Sequence, residues 1–205
     1  MNLLTRKNGD KYIDITQDLL DKYPPRPNKV GRYSCTKIYA ILQGWTTPEQ
    51  YLDGEEVDLK GARNMLKGTY KHEAIQSILA DEYFMEYKKV MKVYDFEIVG
   101  MADMIKWLLD PEERALLELK TSDNVHPKAK PWAVHQIKLY LTLFEMPRGI
   151  LVQPVETPNK QLLKVLGEYK RNDVWFWKQM DKLAEFHKQV YELQNMRNRV
   201  HEVKK

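Results

Sequence analysis

Asp103, Glu118 and Lys120 combine two carboxylates and one ammonium group in a short stretch of this 205-residue sequence. Carboxylates are the hard oxygen ligands that Mg2+ prefers, and two of them would leave positions open for water and for a phosphate oxygen. The ammonium group could hold or activate the attacking water and offset the charge that builds up on the phosphoryl oxygens. Together, these residue types could hydrolyse a phosphodiester bond.

The acid-x-lysine pattern at Glu118 is weak by itself, because it occurs five times in the chain. At any one position, a solvated salt bridge is the ordinary role of such a pair. Glu118-Leu119-Lys120 differs because it ends an apolar stretch, and because Asp103 lies between apolar residues upstream. The other four occurrences are Asp58-Leu59-Lys60, Glu86-Tyr87-Lys88, Glu168-Tyr169-Lys170 and Glu202-Val203-Lys204.

Three predicted strands position the candidate residues. Their Val, Ile, Tyr and Phe content predicts strands over residues 87–94 and 96–106, and a turn signal at 110–113 precedes a third strand over 115–120. Residues two apart in a strand share a face, so Glu118 and Lys120 should project together.

Asp103 lies on a predicted strand that is apolar on both faces, so we expect both faces to be covered. Its charge would then be taken partly out of water, where a carboxylate must be protonated, paired or bound to a metal. Gly100 has no side chain and would let another backbone or a ligand approach closely. The residues that share the face of Asp103 are Val99, Met101 and Ile105.

A helix over residues 61–80 brings His72 to the inner side of the fold, in one row with Met65, Ile75 and Leu79. His72 is then either a core histidine with a satisfied hydrogen bond or a metal ligand. A zincin is excluded, because Gln76 stands where the second histidine of HExxH is required.

A second helix over residues 131–146 is apolar around most of its circumference, which predicts burial against the sheet. Gln136 and Tyr140 are four residues apart and share one face. They either interrupt a packed helix or reach over the site to hydrogen-bond a base, a phosphate or a metal-bound water.

The remaining elements frame this core. We predict a short helix over 33–42 with Ser34 as its N-cap, a loop over 43–60, strands over 149–154 and 162–169, and a long helix over 172–200. The aromatic group of the long helix is more typical of a core or an oligomer interface than of base stacking. It includes Trp175, Phe176, Trp177 and Phe186.

Composition limits the class of protein. The length suits one domain over 1–205, and 43% hydrophobic and 30% charged residues describe a soluble globular protein. No apolar run reaches the roughly 18 to 20 residues that cross a bilayer, so we expect no membrane contact. The net charge of +4 allows a polyanionic partner but does not imply one. A single cysteine, Cys35, and no secretory signal favour the cytoplasm, which would be the host cytoplasm for a viral protein.

Four short motifs together resemble the RecB-type nucleases of the PD-(D/E)XK superfamily. They are Gly68-x-x-x-His72, Gly100-x-x-Asp103, Glu118-Leu119-Lys120 with Thr121, and Gln136-x-x-x-Tyr140. The set looks most like the branch of the CRISPR-associated RecB-type exonucleases, and the small nucleases of archaeal viruses are similar. The motifs fall within residues 61–145, and residues 34–39 match the start of the family's N-terminal helix more weakly.

The resemblance implies an α/β, restriction-endonuclease-like core with a mixed central sheet flanked by helices. It also implies a DNA nuclease that depends on Mg2+ or Mn2+, acting in replication, recombination or end processing, and it points to single-stranded DNA. Lys120 would be catalytic, and Gln136 and Tyr140 would help to place DNA. The implied metal ligands are His72, Asp103, Glu118 and the main-chain carbonyl of Leu119.

One departure concerns cysteine. Many members of that branch hold an iron-sulfur cluster on four cysteines, whereas this chain has only Cys35, so we predict no cluster. Lys128, Lys130 and Lys138 flank the candidate site and are candidates for phosphate contacts. Two alternatives stay open: a catalytically inactive nucleic-acid-binding module of the same fold, and an interaction subunit that docks, or forms a homo-oligomer, through the aromatic C-terminal helix.

Overall fold

Six strands form one mixed sheet in the computed structural model, which describes residues 2–5, 11–24, 27–54, 56–108, 110–121 and 127–203. The strands are β3 (Arg32–Ser34), β4 (Phe84–Val93), β5 (Phe96–Lys106), β6 (Ala115–Leu119), β7 (Arg148–Thr157) and β8 (Lys160–Lys170). The strand β4 is one edge, and β5 pairs with it in antiparallel fashion along almost its whole length. The other side of β5 is shared by β3, which is parallel to it, and β6, which is antiparallel.

The second half of the sheet is a parallel pair followed by a hairpin. β7 runs parallel to β6, and β8 returns antiparallel to β7 and forms the opposite edge. A small separate hairpin of β1 (Asn2–Thr5) and β2 (Lys11–Asp14) lies outside this sheet and precedes the short helix α1 (Thr16–Asp21). The predicted α/β class with a mixed central sheet is confirmed.

Three helices cover one face of the sheet: α2 (Cys35–Leu42), α5 (Pro131–Leu143) and α6 (Asp173–Val203). α5 is buried on most sides, as its apolar circumference predicts. The helix crosses β5 so closely that a Cβ added at Gly100 would lie 2.7 Å from Tyr140 Cε1. A glycine on the strand therefore allows the approach that brings Tyr140 to the sheet.

The opposite face is covered by α4 (Leu59–Leu79), whose Ile75 packs on a smaller cluster of strand residues. The two helical layers leave β5 and β6 covered on both faces, which explains their continuous apolar sequences. The strand residues of the smaller cluster are Met104, Ala115, Leu117, Leu119 and Val152.

The long C-terminal helix is confirmed, and it places most of its large apolar side chains in the main core of the chain itself. The exposed apolar residues left on α6 include Trp177 and Tyr191, so oligomer formation through this helix stays a prediction. The buried residues of α6 are Phe176, Met180, Leu183, Phe186 and Val190. None of the helices in the described ranges is long and apolar enough to cross a membrane.

Three expectations differ from the structure. Residues 43–60 are not only a loop, because α3 (Pro48–Asp53) forms there with a capping box between Thr47 and Gln50. Met65 does not share the inner face of α4, since its side chain is 47% exposed. Met101 is also exposed, because the face of β5 that carries Asp103 opens into a cleft there.

Candidate functional site

The cleft opens where β5 and β6 separate. The two strands pair only from Met104 to Lys106, opposite Leu117 to Ala115. One step further along, the main-chain N–H of Leu119 donates a 2.7 Å hydrogen bond to Oδ2 of the Asp103 side chain. The Asp103 carboxylate therefore accepts a backbone hydrogen bond at the point where the two strands separate.

α4 holds Asp103 from the other side. His72 Nε2 lies 3.1 Å from Asp103 Oδ2, and Gln76 Nε2 donates to the main-chain carbonyl of Asp103 at 3.0 Å. Residues four apart on a helix lie one turn above each other, so both side chains reach the same strand position. The hydrogen bond that His72 donates to the Asp103 carboxylate raises the pKa of His72, although burial acts in the opposite direction.

Glu118, Lys120 and Gln136 form a closed triangle of hydrogen bonds. Lys120 Nζ donates to Glu118 Oε1 at 2.7 Å and to Gln136 Oε1 at 2.9 Å. Gln136 Nε2 donates to the same Glu118 oxygen at 2.7 Å, and it lies 2.9 Å from the Tyr140 hydroxyl. One face of α5 thus orients both charged groups at the end of β6.

Glu118 is almost completely buried: only 1% of its surface is exposed. Its pKa is raised to about 8, mainly by burial and then by the negative charge of Asp103, while Lys120 and His72 act in the opposite direction. Its second oxygen, Oε2, is buried and has no hydrogen-bond partner in the described part of the chain. A buried acceptor without a partner is costly unless something binds to it.

The donor set fits a divalent cation, although no three His, Cys, Asp or Glu side chains among the described residues form a ready-made metal site. The carboxylates are engaged elsewhere: Asp103 faces His72 and a backbone amide, and Glu118 faces Lys120. Both carboxylates nevertheless offer the hard oxygen ligands that a divalent cation prefers, and Glu118 Oε2 has no hydrogen-bond partner in the described part of the chain. Leu119 lines the same cleft.

The cleft has a volume of about 470 Å3 and brings together residues from both helical layers and four strands. The predicted site residues that line it are His72, Asp103, Glu118, Leu119, Lys120, Gln136 and Tyr140.

Trp132 was expected near the site as a ring for unstacked bases, whereas the positions of Ser34, Thr36 and Lys88 in the cleft were not predicted. Ser34 and Thr36 enter it at the start of α2, and Lys88 enters it from β4, where it pairs with Met101 in the strand register. Placing Lys88 requires that register, which the sequence alone does not give. Trp132 is 41% exposed in the cleft wall, with Lys120 Nζ 5.2 Å from the centre of its ring.

The three predicted phosphate-binding lysines have different positions. Lys128 and Lys130 are exposed just before α5, whose N-cap is Lys130, and they precede Trp132 and Gln136 in the cleft. The structure does not bring Lys138 to the cleft: its ammonium group lies 5.3 Å from the ring centre of Trp175 on α6. Lys138 follows Gln136 by two residues, which rotates its position by about 200° around the helix axis. Its side chain therefore points away from the cleft that Gln136 lines.

No family model and no curated protein sequence matches the chain. Solved structures match over most of its length. LHK-Exo, an alkaline exonuclease from Laribacter hongkongensis, matches with a TM-score of 0.58 and 11% identity, over 92% of this chain and 100% of that one. The chain shares the fold of that protein.

Two further matches agree with this fold. LHK-Exo in complex with dAMP gives a TM-score of 0.54 at 14% identity, over 83% of this chain and 95% of that one. A protein called SSO0001 gives 0.54 at 18% identity, over 88% of this chain and 85% of that one. At these identities the similarity concerns the fold, and assignment to the CRISPR-associated branch stays a prediction.

Proposed function

We propose that the chain is a nuclease that hydrolyses phosphodiester bonds of DNA and depends on Mg2+ or Mn2+. The observation that carries the proposal is the buried Glu118 carboxylate in the cleft that Asp103 lines. Lys120 and Gln136 donate to one of its oxygens, and the other has no partner among the residues that the structure describes. A structural salt bridge would satisfy both oxygens or leave them in water. A cation-binding site instead needs a carboxylate oxygen that can bind the ion, as Glu118 Oε2 could.

The residues divide the work of hydrolysis. Asp103 and Glu118 would hold the cation, with His72 and the Leu119 carbonyl as further ligands. When bound, a divalent cation supplies Lewis-acid polarisation of a phosphoryl oxygen.

The groups around these ligands would handle the water and the substrate. Lys120 positions the attacking water and offsets the negative charge that develops on the phosphoryl oxygens. Gln136, held near the Tyr140 hydroxyl, keeps Lys120 and Glu118 in place before substrate arrives.

DNA is the proposed substrate, and single-stranded DNA the preferred form. The similarity to LHK-Exo, which has been solved in complex with dAMP, supports a deoxynucleotide substrate at the level of the fold. The half-exposed indole of Trp132 in the cleft wall suits an unstacked base. The chain would act in DNA replication, recombination or end processing, and its single cysteine favours a site without an iron-sulfur cluster.

The test is a cleavage assay with the purified full chain on end-labelled linear and on circular DNA, single- and double-stranded, with Mg2+, Mn2+ or a chelator. We expect faster cleavage of single strands, none with chelator, and none by Asp103→Asn. Cutting of circles would require endonuclease action. An Asp103→Asn variant as active as the wild type would overturn the assignment. Tight binding to DNA without cleavage under either ion would support the inactive binding module instead.

A further inference from the structure

The outer side of α4 has an unusual charge balance. Its 21 residues include Lys60, Arg63, Lys67 and Lys71 but only one carboxylate, Glu73. The 31 residues of α6 include five Lys or Arg and five Asp or Glu. α6 thus has the mixed signs of an ordinary solvated helix, and α4 is positively charged over most of its length.

Helical geometry places these four cations in one stripe. At about 100° per residue, Lys60, Arg63, Lys67 and Lys71 fall within roughly 80° of each other around the axis. Arg63, Lys67 and Lys71 follow each other at about 6 Å of rise along the helix. Lys60, Arg63 and Lys67 are exposed and Lys71 is half-buried, so the stripe is not part of the packed face of α4.

An aromatic residue lies beside the stripe. Tyr70 is 62% exposed and follows Arg63 by seven residues, which is two helical turns and returns it to nearly the same side. Exposed aromatic rings next to cations are the means by which proteins bind single strands without sequence preference, since each base can stack on a ring.

The stripe ends at the level of α4 that carries His72 into the cleft. Lys71 immediately precedes His72, whose imidazole contacts Asp103. One turn earlier, α4 passes close to the end of β6, where a Cβ at Gly68 would lie 3.4 Å from Thr121 Oγ1. A strand that follows the cations from Lys60 towards Lys71 would therefore arrive at the candidate site.

We propose that the stripe of Lys60, Arg63, Lys67 and Lys71 binds the phosphate backbone of a single DNA strand and leads it to the cleft, with a base stacked on Tyr70. The proposal rests on the proposed function for its substrate. It assigns the binding of the strand outside the cleft to α4, in addition to the residues that line the cleft itself.

The first test measures the salt dependence of binding. Binding of a fluorescent oligothymidylate to the full chain is followed by anisotropy in chelator, so that no cleavage occurs. Each phosphate contact on a single strand contributes about 0.7 to the slope of log affinity against log salt. We expect Lys60→Gln/Arg63→Gln/Lys67→Gln to lower that slope by about 2. The matched control, Lys178→Gln/Lys182→Gln/Lys188→Gln, removes the same charge from α6 and should leave the slope unchanged.

The second test isolates stacking. Tyr70→Ala should weaken binding of the single strand several-fold and leave binding of a duplex of equal length nearly unchanged, because paired bases are not free to stack on the ring. Tyr191→Ala, which removes a similarly exposed tyrosine from α6, is the control. Equal effects of the two triple variants on the salt slope, or an unchanged slope in the α4 variant, would overturn the proposal.

Failure of this proposal can be distinguished from failure of the proposed function. A chain that cleaves DNA while the α4 variant keeps the wild-type slope is a nuclease without this binding path. If the chain never cleaves DNA, but the salt dependence of its DNA binding falls only in the α4 variant, then the chain binds DNA through α4 but is not a nuclease.

Discussion

Glu118-Leu119-Lys120 and Glu168-Tyr169-Lys170 have the same acid-x-lysine pattern on two strands of one sheet, but their environments are opposite. Glu118 is 1% exposed and its Oε1 accepts hydrogen bonds from Lys120 and Gln136. Glu168 and Lys170 are exposed on the edge strand β8. The first pair has a perturbed carboxyl pKa with burial as its main cause, which is typical of functional sites.

The difference comes from distant parts of the chain. β6 lies inside the sheet, where α5 supplies Gln136 above Glu118 and α4 supplies His72 beside Asp103. Glu168, on the edge strand β8, stays exposed in the described part of the chain. The same local sequence therefore becomes a candidate active site only where helices remote in sequence remove it from water.

The largest expected effect comes from neutralising the two carboxylates in turn. Glu118→Gln should lower the rate of DNA cleavage by about 100-fold or more, because it removes a charged ligand from the site. Glu168→Gln should stay within about twofold of wild type, because its carboxylate is solvated. Initial rates with Mn2+ measure both. Similar rates for the two variants would remove the distinction between the two pairs.

A smaller effect should follow from His72→Gln. We expect the concentration of Mn2+ that gives half-maximal activity to rise by about tenfold or more, because removing a group that orients a metal ligand typically lowers metal affinity by that amount. A metal titration of the cleavage rate measures this shift. His187→Gln, which alters a histidine buried elsewhere in the core, should leave the requirement for metal unchanged. If His72 is only a core histidine, both variants will share the wild-type metal requirement.

The hydrogen bonds from α5 should have a graded influence. Gln136→Leu should lower kcat roughly tenfold with little change in KM, because it frees Lys120 and Glu118 to move. Tyr140→Phe removes only a hydroxyl contact of Gln136 and should cost about twofold to tenfold. Steady-state kinetics separates the two parameters. An equal rise in KM for both, with kcat unchanged, would mean that the pair binds DNA and does not position Lys120.

The last prediction concerns stability. Burial holds the pKa of Glu118 at about 8, above its ordinary value of 4.5. Between these values the folded protein binds more protons than the unfolded chain, so its free energy of unfolding falls as pH rises. In chelator, Glu118→Gln should remove that contribution, and its stability relative to wild type should rise from pH 5 to pH 8. Denaturant melts measure the trend, which Glu168→Gln should not show.

Much of the site could be predicted from the sequence because its elements have strong patterns. The apolar strands β5 and β6, the buried helix α5 and the inward His72 on α4 all follow from periodicity and from burial of charge. The four motifs named residues that the structure then placed in one cleft. Each is anchored to a regular element, so its direction is set by the period of that element.

The remainder depended on information that a local pattern does not contain. Lys88 enters the cleft through the register of the edge strand β4, and Lys138 leaves it through the rotation of α5. Met101 is exposed because the sheet opens beside it. The helix α3 could have been predicted, because Thr47, Pro48 and Gln50 form a recognisable helix start. The glycines and carboxylates around them favoured a loop instead.

The most direct test of the proposed active site is the cleavage rate of one end-labelled single strand by Lys120→Met and by Lys170→Met, at the same concentration of Mn2+. Each variant removes the lysine of one acid-x-lysine pair. We expect a loss of about 100-fold or more for Lys120→Met and the wild-type rate for Lys170→Met. Equal rates for the two variants would rule out a catalytic role for Lys120.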